Sequence, residues 1–278
     1  MVRAMNVRPT ASVLMTVLAL MAAPAVAGEG AWASGLKASA RLITAGVDAD
    51  GSLAAGIEIV MPPGWHTYWR TPGDAGIAPT FDFSASRNVA DVTVDFPIPT
   101  RLDDGFSVTN VYYDHVVFPV SAVVVDPARP VALAVSMELG VCAEICVPDS
   151  LTAEIAISPG ESDPAAATRL ASARALVPAD AEAGVFAVAG VTRDGGTDKR
   201  PVFRFETLVP DAASADILVE GPDDWSAYLP VRAAGADGEV VWTVKFSRLG
   251  AKIPADGATF RVTLISAGRA IEQTIPAN

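Results

Sequence analysis

The sequence predicts an all-β protein made of two immunoglobulin-like β-sandwich domains joined by a short helical linker. Apolar and polar residues alternate in short runs, Pro- and Gly-containing turn signals separate the runs, and one Ala-rich segment interrupts them. Short strands with frequent turns favour a sandwich over an α/β fold. The predicted divisions are a signal peptide at 1–27, a first sandwich at 30–158, the helical linker at 159–182 and a second sandwich at 183–278.

The first 27 residues have the pattern of a secretory signal. Arg3 and Arg8 precede an apolar run over 11–23, and Ala25-Val26-Ala27 follows as a cleavage pattern. The apolar run is short for a membrane-spanning helix. We therefore expect the signal to be removed near Gly28 and the mature protein to be soluble outside the cytoplasm.

Alternating runs mark the strands of both predicted sandwiches. They lie at 53–61, 116–125, 131–139 and 151–157 in the first, and at 202–207, 240–246, 260–265 and 271–275 in the second. Between them, Asp163 and Pro164 resemble a helix N-cap and first position, and Pro178 ends the Ala-rich segment. This segment predicts the connecting helix.

Composition and motifs exclude several classes of function. The chain carries 32 acidic and 20 basic residues, a net charge of -12, without a basic stripe. This balance argues against nucleic acid and anionic membrane surfaces as partners. The chain contains neither a Ser–His–Asp signature nor a glycine-rich phosphate loop. The second sandwich has neither Cys nor His, so we expect it to act in scaffolding or partner docking.

Cys142 and Cys146 are the two cysteines of the chain. In an exported protein such a pair usually forms a disulfide. A loop this short contributes only about 2 kcal/mol of stability in the chain-entropy model, which is little for a structural staple. The pair lies between the strands at 131–139 and 151–157, in or beside a hairpin connection. A thiolate of another protein can reach such a loop and exchange with the disulfide.

Two alternatives remain open at this point. The disulfide can equally be inert, in an adaptor without redox function, and the residues alone favour neither role. The second alternative is a copper-binding protein, because a Cys pair with a nearby imidazole suits Cu(I). His115 is the preferred third ligand, and His66 is the other histidine of the chain.

Two further segments attract attention. Trp65, His66, Tyr68 and Trp69 lie close together beside a turn. The two tryptophans either close the end of the sandwich core or form an aromatic wall beside the cysteines. The acidic loop before Phe106 is either a solvated turn or a cover over a redox-sensitive group.

These segments together resemble a known family. The run from Pro63 to Gly76 is similar to the WHTYW-x-x-PGD-x-G signature of DsbD-type N-terminal domains, and within them to the ScsB branch, the suppressor of copper sensitivity. Further matches are Phe96-Pro97-x-Pro99, the run VYYDHVVFPV at 111–120, and CAEICVP at 142–148. The resemblance covers roughly 35–157.

The resemblance implies an immunoglobulin-like domain that shuttles electrons. Cys142 and Cys146 match the redox pair, and the later cysteine usually attacks the client. Phe106, Asp104 and Tyr112 match residues that cap and shield the pair, while the segment from Trp65 to Trp69 forms its surroundings. The implied activity is that of a protein-disulfide reductase without a cofactor other than the disulfide. Thioredoxin-like periplasmic oxidoreductases are the implied partners, and cytochrome c biogenesis and copper tolerance are the associated processes.

Two features depart from the family pattern. The cysteines here are separated by three residues, where the best-known DsbD pattern has five. The sequence ends at Asn278, before the membrane channel and the thioredoxin-like domain of a full-length member. We therefore expect a separate membrane electron-transfer protein of the DsbD or ScsB type to supply the electrons.

Overall fold

A computed structural model describes residues 28–234, 239–248 and 254–278. The predicted signal peptide at 1–27 lies outside the described residues. The regular secondary structure of the described chain is β-strand, apart from one α-helix between two groups of strands. We call strands β1–β11 the first sandwich and strands β12–β20 the second sandwich, with the bounds given below.

The first sandwich consists of two sheets. Its strands are β1 (Ala33–Ser34), β2 (Ser39–Val47), β3 (Ser52–Val60), β4 (His66–Gly73), β5 (Thr80–Asp82), β6 (Val89–Val94), β7 (Thr100–Asp103), β8 (Val108–Tyr113), β9 (His115–Val124), β10 (Val131–Cys142) and β11 (Cys146–Ile157). One sheet has the order β1-β2-β3-β9-β6. The other has the order β11-β10-β4-β8-β7, with β5 also paired to β10.

Period-two alternation places one face of each sheet in the core of the first sandwich. In β10, Val131, Leu133 and Val135 are buried, while Ala132 and Glu138 are exposed. Side chains of successive strand residues point to opposite faces, so this pattern is expected of a strand with one buried face. The four strands predicted here are confirmed, and β10 and β11 extend beyond their predicted bounds to the two cysteines.

The helix α1 (Pro164–Arg174) begins and ends within the predicted segment. The Asp163 carboxylate accepts hydrogen bonds from the backbone N–H groups of Ala165 at 2.8 Å and Ala166 at 3.1 Å, and Pro164 occupies the first turn. The buried side chain of Leu170 faces the sheet at Gly56 of β3. The predicted connecting helix therefore packs on the first sandwich, and a shorter stretch leads on to β12.

The second sandwich also consists of two sheets. Its strands are β12 (Ala179–Asp180), β13 (Ala187–Thr197), β14 (Arg200–Leu208), β15 (Asp216–Glu220), β16 (Ser226–Ala227), β17 (Val231–Ala234), β18 (Glu239–Ser247), β19 (Thr259–Ser266) and β20 (Arg269–Pro276). The sheet orders are β12-β20-β19-β15 and β13-β14-β18-β16, with β17 also on β18. Phe203, Phe205, Phe246 and Phe260 fill the core. The predicted two-sandwich class is confirmed, and the exact domain boundaries stay predictions.

Asp149 joins the two sheets of the first sandwich at one edge. Its buried carboxylate, on β11, accepts hydrogen bonds at 2.8 Å from the backbone N–H groups of Leu36, Lys37 and Ala38, which precede β2. Hydrogen bonds to a charged acceptor are stronger than those between neutral groups. This single carboxylate therefore accepts the backbone hydrogen bonds of the segment that leads into β2.

We expect Asp149→Ala to lower the free energy of unfolding by about 2 to 4 kcal/mol, because it leaves the buried N–H group of Ala38 and two partly buried N–H groups without an acceptor. Urea unfolding of the full chain, followed by circular dichroism, measures the change. Glu154→Gln is the control, since Glu154 is exposed on the same strand. Equal unfolding midpoints for Asp149→Ala and the control would contradict the assigned role.

Candidate functional site

Cys142 and Cys146 form a disulfide at the closed end of the β10–β11 hairpin. The antiparallel pairing of these strands runs without a shift from Val131↔Ile157 to Cys142↔Cys146, and residues 143–145 make the turn. The two Cα atoms are 4.1 Å apart. The prediction that the cysteines lie at a hairpin connection is confirmed.

The two half-cystines differ sharply in exposure. Cys142 is 1% exposed and packs in a small buried cluster with Tyr68 and Val111. Cys146 is exposed, as is Ile145 immediately before it. A thiolate from another molecule therefore has access to the Cys146 sulfur, while the protein covers the Cys142 sulfur.

Tyr68 is the polar group in contact with the disulfide. Its hydroxyl donates a hydrogen bond to Cys142 Sγ at 3.0 Å and lies 3.6 Å from Cys146 Sγ. Burial raises the pKa of the Tyr68 phenol above its ordinary value of 10.0, and the negative charge of Asp104 raises it further. The phenol consequently keeps its proton at neutral pH and remains a hydrogen-bond donor.

Strand β4 determines which aromatic side chains reach the sulfurs. Its alternation turns His66 and Tyr68 toward the disulfide, and His66 is the ladder partner of Cys142. Trp69 points the other way and is buried in the core. Trp65, just before the strand, is partly buried against that core. The structure therefore supports the hypothesis that the two tryptophans pack on the sandwich core, and not the hypothesis of an aromatic wall beside the cysteines.

The imidazole of His66 forms part of the wall of a cleft beside the disulfide. It makes edge contacts with the rings of Tyr68 and Tyr113, with centroids 5.4 and 5.5 Å apart. Burial lowers the pKa of His66 below its ordinary value of 6.5. The ring is therefore neutral at pH 7 and adds no positive charge that would favour a cysteine thiolate.

The PGD-x-G part of the signature builds the floor of this cleft. Gly76 has a φ of 106°, and a Cβ at this position would lie 2.3 Å from the Tyr68 ring. Asp74 accepts a hydrogen bond from Val108 N at 3.0 Å, and Asp74 N donates one to Val108 O. Gly76 thus allows the Tyr68 ring to approach the backbone closely, and Asp74 closes the base of the loop at 103–107.

The loop at 103–107 borders the cleft in an open arrangement. The Asp104 carboxylate accepts hydrogen bonds from the N–H groups of Ser107 at 2.7 Å and Phe106 at 2.8 Å, and these bonds lower the pKa of Asp104. Asp104 lines the cleft together with Ser107. Phe106 is 101% exposed, so its ring does not cover the disulfide in this conformation.

The prediction that Tyr112 shields the cysteines is wrong. Tyr112 is buried in the main core, where its ring contacts Phe118 and its hydroxyl donates to Pro97 O at 2.6 Å. Its neighbour Tyr113 is the residue that lines the cleft. Tyr112 and Tyr113 differ in this way because the side chains of adjacent residues in a strand point to opposite faces of the sheet.

His115 lies away from the cysteines, in the other sheet of the sandwich. Its Nε2 atom is 3.1 Å from Glu58 Oε1, and Glu58 also accepts from Arg41 Nε at 2.7 Å. Within residues 28–234, 239–248 and 254–278, no three His, Cys, Asp or Glu side chains are grouped to hold a metal ion. The suggested Cu(I) ligand set of Cys142, Cys146 and His115 is therefore not assembled.

Two comparisons place this geometry among known proteins. The family model described as thiol:disulfide interchange protein DsbD, N-terminal, matches residues 36–155. The crystal structure of the N-terminal periplasmic domain of ScsB from Proteus mirabilis superposes with a TM-score of 0.72 at 20% sequence identity. That match covers 91% of this chain and 99% of the ScsB domain chain. No curated protein matches the sequence.

The family match spans the strands that carry the disulfide, Tyr68 and the acidic loop. The structural match extends over most of both sandwiches and shows the shared fold. Residues 36–155 of this chain therefore match the DsbD N-terminal domain family, and the chain shares the fold of the ScsB periplasmic domain.

Proposed function

We propose that this protein is a periplasmic thiol–disulfide exchange module that passes electrons through Cys142 and Cys146 to partner oxidoreductases. The observation that carries the proposal is the asymmetry of the disulfide. Cys146 is exposed at the turn, while Cys142 is buried against the Tyr68 hydroxyl. Exchange requires one sulfur that a partner can reach and a second that can leave or return within the protein.

The reductive step balances as two successive displacements. In the reduced protein, the Cys146 thiolate attacks one sulfur of the client disulfide, and the other client sulfur leaves as a thiolate that takes up a proton. The Cys142 thiolate, formed by loss of its proton, then attacks Cys146 Sγ. The Cys142–Cys146 bond forms, and the second client sulfur leaves and is protonated. Two electrons and two protons have then passed to the client.

Tyr68 stabilises the buried sulfur in this scheme. When a donor thiolate reduces the oxidised protein by attacking Cys146, Cys142 departs as a thiolate in a buried position. A buried charge is costly unless it is hydrogen-bonded. The Tyr68 hydroxyl already lies 3.0 Å from that sulfur and stays protonated because its pKa is raised. It therefore donates a hydrogen bond where the negative charge develops.

The family match supports a proposal for the partners and the location. We propose thioredoxin-like periplasmic oxidoreductases as clients and a membrane protein of the DsbD or ScsB type as the electron donor. The matched ScsB domain is described as periplasmic. The described part of this chain contains no helix long and apolar enough to cross a membrane. We also propose that the loop at 103–107 can move from this open arrangement to a closed one in which Phe106 covers Cys146.

The first test compares the two single-cysteine variants. We expect the free thiol of Cys142→Ser, which retains the exposed Cys146, to react about tenfold faster with dithiobis-nitrobenzoate than that of Cys146→Ser. We also expect Cys142→Ser to trap a thioredoxin-like oxidoreductase from a periplasmic extract as a mixed disulfide. Equal reagent rates would contradict the difference in accessibility between the two cysteines. Capture only by Cys146→Ser would mean that the two roles are exchanged. Capture by neither variant would remove the proposed function.

The second test concerns Tyr68→Phe. Loss of the hydrogen bond to the departing sulfur should slow reduction of the disulfide by dithiothreitol about three- to tenfold. Because the pKa of Tyr68 is raised, the difference from the wild type should persist between about pH 7 and pH 9. Tyr112→Phe is the matched control, since it removes a buried hydroxyl on the opposite face of the sheet. Equal rates for Tyr68→Phe and the wild type would contradict the role of the phenol.

A further inference from the structure

Strand β4 leaves its regular pairing just after Tyr68. Its ladder with β8 runs through Tyr68↔Val111 and resumes at Gly73↔Thr109. On its other side, β4 pairs with β10 at Cys142↔His66. Residues 69–72 therefore form an irregularity directly beyond the residue that contacts the disulfide. Such an irregularity changes the direction of side chains. Because residues 69–72 have no ladder partners on β8, their conformation depends on side-chain contacts instead.

The first sandwich holds this irregularity through the buried Trp69 ring and a hydrogen bond from Asn110 Nδ2 to Thr71 O at 3.0 Å, and the second sandwich adds further contacts. The Arg70 guanidinium donates to both carboxylate oxygens of Glu220, at the end of β15. Its Nε lies 3.1 Å from Oε1, and its Nη2 lies 2.6 Å from Oε2. Thr71 Oγ1 donates to Glu220 Oε1 at 2.7 Å, and Glu272 of β20 is a second partner of Arg70. The side chains of Arg70 and Glu220 are only 13% and 17% exposed. This is a shielded, two-pronged ion pair rather than a surface contact.

The same strand β15 also holds the opposite wall of the cleft. Arg101 of β7 donates to both oxygens of Asp216 at 3.0 Å and to Ile217 O at 3.0 Å. Strand β7 is the edge strand of the sheet and leads directly into the loop at 103–107. Leu218, between the two acidic residues, packs into the core of the first sandwich.

We propose that the second sandwich positions the redox site through β15. Glu220 holds β4 and with it the Tyr68 hydroxyl, and Asp216 holds β7 and the loop that borders the cleft. Both acidic residues are positioning residues, since they act through Arg70 and Arg101 and touch neither sulfur. This inference rests on the proposed exchange function and assigns a task to the sandwich without cysteines.

A double-mutant cycle on the full chain tests the coupling. The variants are Glu220→Gln, Tyr68→Phe and the combination, and the measurement is the rate constant for reduction of the disulfide by dithiothreitol. We expect Glu220→Gln to slow reduction about threefold or more, because the hydroxyl loses its alignment with Cys142 Sγ. In the Tyr68→Phe background, the same substitution should have much less effect. A purely structural loss would act equally in both backgrounds.

Two further variants control the experiment. Glu206→Gln removes a carboxylate that pairs with Arg204 at the exposed surface of the same sandwich, and should leave the rate unchanged. Arg70→Lys keeps the positive charge but loses the two-pronged geometry, so it should slow reduction as Glu220→Gln does. If Glu220→Gln does not fold, as judged by circular dichroism, the cycle of Arg70→Lys with Tyr68→Phe replaces it.

The outcomes separate this inference from the proposed function. A rate for Glu220→Gln equal to the wild type, or an equal effect in both Tyr68 backgrounds, would overturn the positioning role. Trapping by Cys142→Ser would still support exchange in that case. Failure of the wild-type disulfide to exchange with any thiol would instead remove the function on which the inference rests.

Discussion

The unbroken pairing of β10 with β11 is the constraint on which the redox site depends. The buried face of β10, beginning with Val131 and Leu133, fixes the register of this hairpin in the core. A slip of one residue would turn that face to solvent, at a cost of several buried side chains. The same register places Cys142 opposite Cys146. The core therefore decides where the disulfide lies and which of its sulfurs is buried.

Strand β4 connects this hairpin to the rest of the molecule. Trp69 anchors it in the first core, Tyr68 turns its hydroxyl to Cys142, and Arg70 reaches the second sandwich. Three consecutive residues thus face three different environments. The redox chemistry uses one of them, but its geometry relies on the other two, since the strand is paired irregularly beyond Tyr68. This arrangement is the basis of our proposal that a sandwich without cysteines influences the disulfide.

Most of the family-like motifs serve the scaffold of the site. Asp74 closes the base of the acidic loop, Pro97 accepts the Tyr112 hydroxyl, and Asp114 accepts from Gly64 N at 2.6 Å between the aromatic segment and β9. Among these residues and Tyr68, the Tyr68 hydroxyl is the group that contacts the disulfide sulfurs. In this chain these motif residues therefore help to hold the loops and strands around the phenol and the disulfide.

By itself, the sequence determined the features that local patterns encode. Alternation along β10 and β11 and the cap at Asp163 and Pro164 depend on neighbours within a few residues. Tertiary structure decided which face each side chain occupies and which distant residue it meets. The ion pair of Arg70 joins residues 150 positions apart, and Tyr112 lies in the core while Tyr68 reaches the sulfur. Residue type and spacing do not encode such partners, because they arise only when whole sheets pack together.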